Sequence, residues 1–342
     1  MTGNAPPRAF SAATVLSIAA GAALFTLVIW KVGPAEIGEG FRRLGWGIAL
    51  VVMLGGLRFA ARAAAWIACI DKPHVLPFAA AFGAVVAGDT LGNATPLGPV
   101  VGEPAKAAYV RRQVPVGAAL TALAIENLLY SLSAAAMIAA GIVALLFAFE
   151  LPAAVREISE IAIGVIGLIF VISMVALWRK PALLSRWLPL AGRPGGTLRS
   201  KAAKIRALES DIYTFASRRP GALATAIACE ALFHALGVAE AFITIWLLTP
   251  DPQSSLLLLA FIMEATQRLL TVVFKFVPFQ IGVGEAGTAA FTKMLGQGEV
   301  LGTNFALARK ARMAVWAAVG AVLLARHGVT ASSALAAKDA TS

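Results

Sequence analysis

The chain has 342 residues, of which 59% are hydrophobic and only 14% are charged. Soluble domains contain roughly 25% charged residues, so this composition, with a mean hydropathy of +0.80, excludes an ordinary soluble protein. A net charge of +11 is compatible with nucleic-acid binding, but most of it lies in one loop between apolar runs. Membrane topology therefore explains the charge, and no nucleic-acid partner is predicted.

Apolar runs recur along the chain, and each is long enough to cross a ~30 Å hydrocarbon core. They predict spanning helices over 11–32, 46–70, 115–149, 158–178, 220–248 and 300–325. Residues 1–10 and 327–342 are predicted to be tails. No signal-peptidase site clearly follows the first run, which indicates a retained span. Cys69 and Cys229 lie inside apolar runs, which favours structural thiols over a disulfide or metal site.

The basic residues orient the chain. The segment 179–219 contains ten lysines and arginines against only Glu209 and Asp211, and by the positive-inside rule it is a cytoplasmic loop. The connection around Glu150 and Glu157 is net acidic and belongs outside. We therefore predict a multi-pass protein of a bacterial-type inner membrane with both termini cytoplasmic. The loop separates a first half, 11–178, from a second half, 220–326.

Each half contains an apolar segment that is interrupted by proline and glycine, 75–113 in the first and 255–298 in the second. Helices are predicted to about residues 92 and 276, each followed by a break. Both breaks read Pro, five residues, Gly-Glu, and their helix-breaking residues are Pro96, Gly98, Gly102, Pro278, Gly282 and Gly284. Matched interruptions in two halves are the best sequence indication of a transporter's binding site.

The predicted fold is all-α: a polytopic bundle with about six spanning helices and two re-entrant broken-helix hairpins in an inverted repeat. The first hairpin starts and ends inside, near Arg111 and Arg112, and the second starts and ends outside. The alternative is that both segments cross the membrane completely. Broken helices at membrane depth require burial in protein or a wet cavity.

Many ionisable and amide side chains lie inside the apolar runs, often four residues apart and therefore on one helix face. Isolated charges at this depth cost at least ~2.5–3.5 kcal/mol each, so they are predicted to face a shared polar cavity. The candidate substrate-binding residues are Arg58, Arg62, Asn93, Glu103, Lys106, Glu126, Asn127, Glu230, His234, Glu264, Gln267, Arg268, Gln280, Glu285, Arg309 and Arg312. No metal-ligand spacing is present, and no cofactor is predicted.

Several of these residues also have structural interpretations. Glu103 and Glu285 each follow a break and are expected to open a short helix, where a carboxylate caps the free N–H groups. Glu264 and Arg268 have the spacing of an intrahelical ion pair, and Glu230 and His234 that of a packing contact. Arg309, Lys310 and Arg312 conflict with the positive-inside rule, so either they face the cavity or that span is misplaced.

Half-helix N-termini and arginines both bind anions. A cavity containing Arg58, Arg62, Lys106 and Arg268 therefore suits a phosphate-bearing lipid headgroup. Acids such as Glu126 and Glu264 are suited to holding the arginines, recognising a cationic headgroup or carrying a proton. The hypothesis is a translocator that moves a lipid headgroup between leaflets by alternating access.

The sequence resembles a known family at these residues. The run from Asn93 to Lys106, the pair Glu126-Asn127 and the run from Pro278 to Glu285 are similar to the transmembrane domain of lysylphosphatidylglycerol synthases and related flippase-like proteins. The resemblance covers about 15–325 and implies a lipid-flippase-like domain that handles phospholipids. Synthase activity is not implied, because the bifunctional members have an additional soluble aminoacyl-transferase domain, and none is expected after the last span.

Two departures from the family pattern leave the cargo open. Pro104 and Ala105 precede Lys106, where many relatives have a basic residue sooner, and Asn127 stands where an arginine is common. Some free-standing relatives are associated with hopanoid or other isoprenoid lipids, so such a cargo is an alternative. A homo-oligomer and a separate lipid-biosynthesis enzyme are further partner hypotheses.

Two other function classes stay open. A membrane-embedded lipid-modifying enzyme is one, although no nucleophile–base pair or nucleotide-binding loop is apparent. An ion or solute carrier is the other, with Glu126, Glu230 and Glu264 as coupling sites.

Overall fold

A computed structural model describes residues 26, 30, 34–95, 98–179, 214–215, 217–249 and 255–329. Most of the predicted span 11–32, most of the loop 179–219, Pro96 and the end of the C-terminal tail lie outside the described residues. The described residues form ten α-helices and one short 3-10 helix, and none of them is in a strand. The predicted all-helical class is confirmed.

The helices are numbered here in chain order. They are α1 (Pro34–Leu44), α2 (Gly47–Cys69), α3 (Phe78–Asn93), α4 (Gly98–Tyr109), α5 (Val116–Ala148), α6 (Ala153–Arg179), α7 (Pro220–Leu248), α8 (Leu256–Val273), the 3-10 helix (Pro278–Gln280), α9 (Val283–Met294) and α10 (Glu299–His327).

Four of these helices, α2, α5, α7 and α8, are long and apolar enough to cross a membrane. The first three match the predicted spans 46–70, 115–149 and 220–248, and α8 is the first arm of the second broken segment. The predicted spans 158–178 and 300–325 are also helical, as α6 and α10. The protein is therefore a polytopic helical membrane protein.

Both broken segments fold into antiparallel helical hairpins. In the first, α3 and α4 lie side by side because glycines allow their backbones to approach: a Cβ on Gly102 would lie 2.8 Å from the Gly88 carbonyl oxygen, and one on Gly98 would lie 3.1 Å from that of Gly92. In the second, α8 returns into α9, with Gly287 packed against Leu270. The chain thus turns back at each break.

The two hairpins begin and end at opposite ends of the bundle. At one end, Ile70, Leu76, Val110 and Val114 share a hydrophobic cluster with Phe215. We call this the basic end, formed by 70–77, 110–115, 217–219 and 326–329; the first hairpin starts and finishes there.

The opposite end is formed by 34–46, 149–157 and 295–299, and it contains more acidic than basic residues in the described chain. There, Leu44, Leu145, Leu248, Leu256 and Leu295 pack in a second cluster. The second hairpin starts and finishes at this acidic end. The predicted entry of the two hairpins from opposite sides of the bundle is confirmed.

Helix packing repeats between the halves. The α2–α7 interface is the most extensive, α3 packs on α10 as α8 packs on α5, and α4 packs on α5 as α9 packs on α10. Among α2–α5 and α7–α10, each of these helix contacts therefore has a counterpart when the halves are exchanged. This pattern, with hairpins that enter from opposite ends, agrees with the predicted inverted repeat.

The two Gly-Glu pairs are not equivalent in the structure. Glu285 lies in the first turn of α9 and accepts a hydrogen bond from the Gly282 N–H at 2.9 Å, as expected for a cap. Glu103 was expected to cap as well, and this prediction is wrong, because α4 begins at Gly98 and places Glu103 in its second turn. Pro99, whose fixed φ suits a first turn, allows the earlier start.

Candidate functional site

A cavity of about 210 Å³ lies within the bundle. Both hairpins reach it near their breaks: Asp89, Thr90 and Asn93 from α3, and Gln280 and Glu285 from the second break and α9. The remaining walls come from α2, α5, α7, α8 and α10. The two matched breaks therefore meet one shared space.

The cavity wall is strongly cationic. Six basic side chains line it, against only two acids, Asp89 and Glu285, among the described residues. The basic residues are Arg58, Arg62, Arg268, Arg309, Lys310 and Arg312. The conflict of Arg309, Lys310 and Arg312 with the positive-inside rule is thereby resolved, since all three line the cavity.

Two buried glutamates that do not line the cavity bind most of these cations. Arg58 donates to Glu240 at 3.0 Å and to Glu264 at 3.2 Å. Arg309 approaches the same two carboxylates, with Nε 3.4 Å from Glu240 and Nη2 hydrogen-bonded to Glu264. We call Arg58, Glu240, Arg309 and Glu264 the arginine–glutamate ring; it joins α2, α7, α8 and α10.

Two further arginines attach to this ring. Arg268 donates twice to Glu264, at 2.9 and 2.7 Å, which confirms the intrahelical pair predicted from their spacing. Arg312 lies 2.5 Å from Glu240. Each carboxylate of the ring thus serves three guanidinium groups, and the prediction that Glu264 holds arginines in place is confirmed.

Arg62 has a separate support. Glu126 accepts two hydrogen bonds from it, at 2.8 and 2.9 Å, and the Asn127 amide oxygen accepts a third at 3.2 Å. The guanidinium also lies 4.3 Å from the centre of the Tyr130 ring, a favourable cation–π distance. Its orientation is therefore fixed from both sides.

The sixth cation, Lys310 of α10, is bound by residues at the second break. Lys310 lies 2.5 Å from a Glu285 carboxylate oxygen and donates to the Gln280 carbonyl at 3.2 Å. Phe279 and Gln280 have φ of 51° and 52°, in the left-handed region that non-glycine residues rarely adopt. Gln267 of α8 contacts Thr288 of α9 at 3.4 Å, across the same hairpin.

Nine of the sixteen predicted substrate-binding residues line the cavity, and seven lie behind or outside its wall. The lining residues are Arg58, Arg62, Asn93, Gln267, Arg268, Gln280, Glu285, Arg309 and Arg312. The others are Glu103, Lys106, Glu126, Asn127, Glu230, His234 and Glu264. Of these seven, Glu126, Asn127 and Glu264 bind arginines of the cavity wall.

Four of the predicted binding residues lie outside the cavity wall: Glu103, Lys106, Glu230 and His234. Lys106 donates to Glu103 at 2.7 Å within α4, away from the cavity wall. His234 is 3.1 Å from Ser133 of α5, whereas both carboxylate oxygens of Glu230 are buried without a hydrogen-bond partner. The predicted Glu230–His234 contact is thus not a hydrogen bond.

Asp89, Thr90 and Trp316 are lining residues that the sequence reasoning missed. Asp89 accepts a hydrogen bond from Asn93 at 2.8 Å. As the acid in an otherwise apolar run of α3, four residues before Asn93, it had a recognisable signal. Trp316 had none, because its position depends on packing against Gly55 and Gly56 of α2.

Comparison with known proteins places the chain in a family. The family model described as lysylphosphatidylglycerol synthase TM region matches residues 14–320. The chain belongs to this family. The match includes both hairpins and the whole arginine–glutamate ring, so the resemblance noted from the sequence motifs is confirmed. No curated protein and no solved structure shows significant similarity to the chain.

Within the described residues, no group of three or more histidine, cysteine, aspartate or glutamate side chains is placed to hold a metal ion. The polar groups of the site are instead arginines supported by acids. Guanidinium groups in this arrangement are suited to binding carboxylate or phosphate oxygens.

Proposed function

We propose that this protein binds the anionic headgroup of a lipid in the cavity and moves it, chemically unchanged, between the two leaflets. The observation that supports this most directly is the meeting of two hairpins from opposite ends of the bundle at a cavity lined by six cations. Membership of the lysylphosphatidylglycerol synthase TM region family agrees with a role in lipid handling.

The cations favour a phosphate-bearing ligand. Guanidinium groups bind phosphate oxygens through two parallel hydrogen bonds, and acids behind the wall already orient the arginines. Because Glu126, Glu240 and Glu264 do not line the cavity, a ligand meets the cations first. Preorganised arginines lose little conformational entropy when they bind, which favours affinity.

The size of the cavity favours a headgroup over a whole lipid. Pockets that enclose a drug-sized ligand typically occupy ~300–1,000 Å³, whereas this cavity has about 210 Å³. A phosphate with a small alcohol fits that space, and the acyl or isoprenoid tails would remain among the outer helix faces. Anionic phospholipids and isoprenyl phosphates share this headgroup chemistry.

The hairpins provide a route for alternating access. Each has its tip at the cavity and its base at one end of the bundle, so displacement of one hairpin would open the cavity toward that end only. Transporters with inverted repeats operate in this way around a central site. The basic end has an excess of lysine and arginine, and the positive-inside rule assigns it to the cytoplasm.

A vesicle assay tests the proposal. Purified protein is reconstituted into phosphatidylcholine vesicles containing fluorescent phosphatidylglycerol, and quenching from outside reports the accessible fraction. We expect more fluorescence to be quenched than the outer-leaflet lipid accounts for only when the protein is present. Lys310→Gln, which removes a cavity charge, is expected to slow exchange about tenfold, the effect of losing one charge-assisted hydrogen bond.

Arg156→Gln is the matched control. Arg156 forms an ion pair with Glu160 at 3.1 Å, as Lys310 does with Glu285. Both residues of the Arg156–Glu160 pair are exposed on α6, away from the cavity. Its exchange rate is expected to equal that of the wild type. Vesicles that show no exchange of phosphatidylglycerol or of a polyprenyl phosphate would contradict the proposal, as would chemically altered lipid after extraction.

A further inference from the structure

Glu230 is the buried acid that the described ion pairs do not use. Its side chain is 1% exposed, and neither carboxylate oxygen has a hydrogen-bond partner. Buried carboxylates that accept no hydrogen bond are strongly disfavoured in the charged form. A charged Glu230 is therefore costly in this conformation, and a bound proton removes that cost.

The surroundings of Glu230 connect it with the cavity through Arg62. Electrostatic interactions link Glu230 with Arg62 of α2, Glu126 of α5 and Lys106 of α4. Tyr130, Cys69 and the neighbouring Cys229 also interact with it. Lys106 is already paired with Glu103 at 2.7 Å, so Arg62 is the cation that both serves this acid and lines the cavity.

The other charges around α7 lie further along the helix. Arg309 and Arg312 of α10 pair with Glu240, and Glu264, which also binds Arg268 on α8, packs at Gly237. Glu240 is ten residues from Glu230, about 15 Å along the helix axis. The charged residues of α1 lie at the acidic end. Glu230 therefore responds mainly to Arg62 and Glu126.

We propose that Glu230 is a proton-binding site that couples proton movement to movement of the anionic headgroup, and this proposal rests on the proposed function. When Glu230 is ionised, the charge of Arg62 is compensated by two carboxylates, its ion-pair partner Glu126 and the nearby Glu230. When Glu230 binds a proton, Arg62 loses one of its acidic neighbours, and more of its charge is available to a phosphate in the cavity.

Linkage makes this relation reciprocal: a headgroup phosphate that binds Arg62 favours the protonated form of Glu230 by the same factor by which protonation favours the phosphate. In the proposed cycle, one proton binds Glu230 and frees Arg62, one headgroup then enters, and both leave on the other side. Transport of one proton with one singly charged anionic headgroup is electroneutral. A pH gradient would then drive the lipid, and a membrane potential would not.

The test uses the full chain in vesicles of phosphatidylcholine and phosphatidylglycerol, three to one, with a pH-sensitive dye inside. At a gradient of one pH unit, we expect phosphatidylglycerol to accumulate in the leaflet facing the more alkaline side until its leaflet ratio approaches tenfold. That is the limit for one proton per lipid, since a tenfold ratio corresponds to one decade of proton activity. The dye is expected to report proton movement in step with the lipid.

Two variants isolate the role of Glu230. Glu230→Gln introduces a neutral isostere of the protonated acid, so it is expected to keep the thermal unfolding temperature while it abolishes both the gradient response and the dye signal. Glu157→Gln, an exposed acid of α6, is expected to retain both.

The outcomes separate the two proposals. Two results overturn the coupling role and leave the proposed function unaffected. One is lipid exchange in the wild type that does not depend on the pH gradient, and the other is a gradient response that persists in Glu230→Gln. Absence of any lipid exchange overturns both. A Glu230→Gln protein that unfolds at a much lower temperature also overturns the proposal, because it would show that the carboxylate is ionised and paired.

Discussion

The carboxylate of Glu264 connects three arginines from three helices. It is fully buried and accepts hydrogen bonds from Arg58, Arg268 and Arg309. Removing one partner of a buried ion pair destabilises a protein by about 3–5 kcal/mol, because the remaining charge is left without compensation. Glu264→Gln is therefore expected to lower the free energy of unfolding by about that amount, measured by thermal unfolding in detergent.

Glu157→Gln serves as the control for this prediction. It is the same substitution on an exposed helix face, and its effect is expected to stay within about 0.5 kcal/mol. If Glu264→Gln unfolds at the same temperature as the control and the wild type, Glu264 contributes no net stability, and its three arginines must be stabilised by other contacts.

At the residue scale, the sequence predicted which charged residues share a helix face, and the structure shows which residues they bind. The four-residue spacing of Arg58 and Arg62 placed them on one side of α2, and this is confirmed. It did not indicate that Arg58 would bind Glu240 and Glu264, which are 182 and 206 positions away, while Arg62 binds Glu126. Long-range pairing depends on how helices are arranged, and a single sequence contains no direct signal for it.

Among the elements, the first hairpin depends on close approach of two backbones. A Cβ at position 102 would lie 2.8 Å from the Gly88 carbonyl oxygen, a backbone atom that cannot rotate away. Gly102→Ala is expected to separate α3 from α4, to destabilise the protein by about 1–3 kcal/mol through overpacking and to reduce lipid exchange, because α3 forms part of the cavity wall. Unfolding in detergent and the vesicle assay measure the two effects.

Gly117→Ala distinguishes packing from intrinsic helix propensity. Gly117 lies in the first turns of α5, and a Cβ there would meet nothing within 4 Å. Alanine is favoured over glycine in a helix by up to ~1 kcal/mol, so this control is expected to be neutral or slightly stabilising. Equal effects of the two substitutions would show that the α3–α4 contact does not require glycine.

The breaks illustrate how far a motif determines an element. The prolines and glycines indicated correctly where both helices are interrupted, because these residues end helices and are uncommon inside a simple spanning helix. The shared Gly-Glu spacing nevertheless suggested equal roles for Glu103 and Glu285, and only Glu285 caps a helix. Where a helix starts depends on its first turn, and Gly98-Pro99 begins α4 five residues before Glu103.

For the whole molecule, the arrangement of hairpins determines where the cavity lies. The two halves make equivalent helix contacts on either side of the α2–α7 interface. Each half contributes one hairpin, which enters from its own end of the bundle. A cavity between two such hairpins is positioned between the ends of the bundle. The position of the site is thus a consequence of the inverted repeat, whereas its chemistry depends on six individual cations.

The topology leads to a labelling pattern that full crossings would not give. Lys72 and Gln113 flank the first hairpin at the basic end, and Ser255 and Gln297 flank the second at the acidic end; all four are exposed. Each is replaced singly by cysteine, in a protein with Cys69→Ala and Cys229→Ala, and labelled with a membrane-impermeant maleimide. We expect Lys72→Cys and Gln113→Cys to react in inverted vesicles, and Ser255→Cys and Gln297→Cys in right-side-out vesicles.

Residues at the two ends of one hairpin must label from the same side if the hairpin turns back, and from opposite sides if its segment crosses the membrane. Glu157→Cys, in the acidic α5–α6 region, provides a marker for the side of the acidic end that does not depend on either hairpin. Reaction of Lys72→Cys and Gln113→Cys from opposite sides would contradict the re-entrant arrangement. It would also remove the basis for alternating access, because the first hairpin would then join both sides of the membrane.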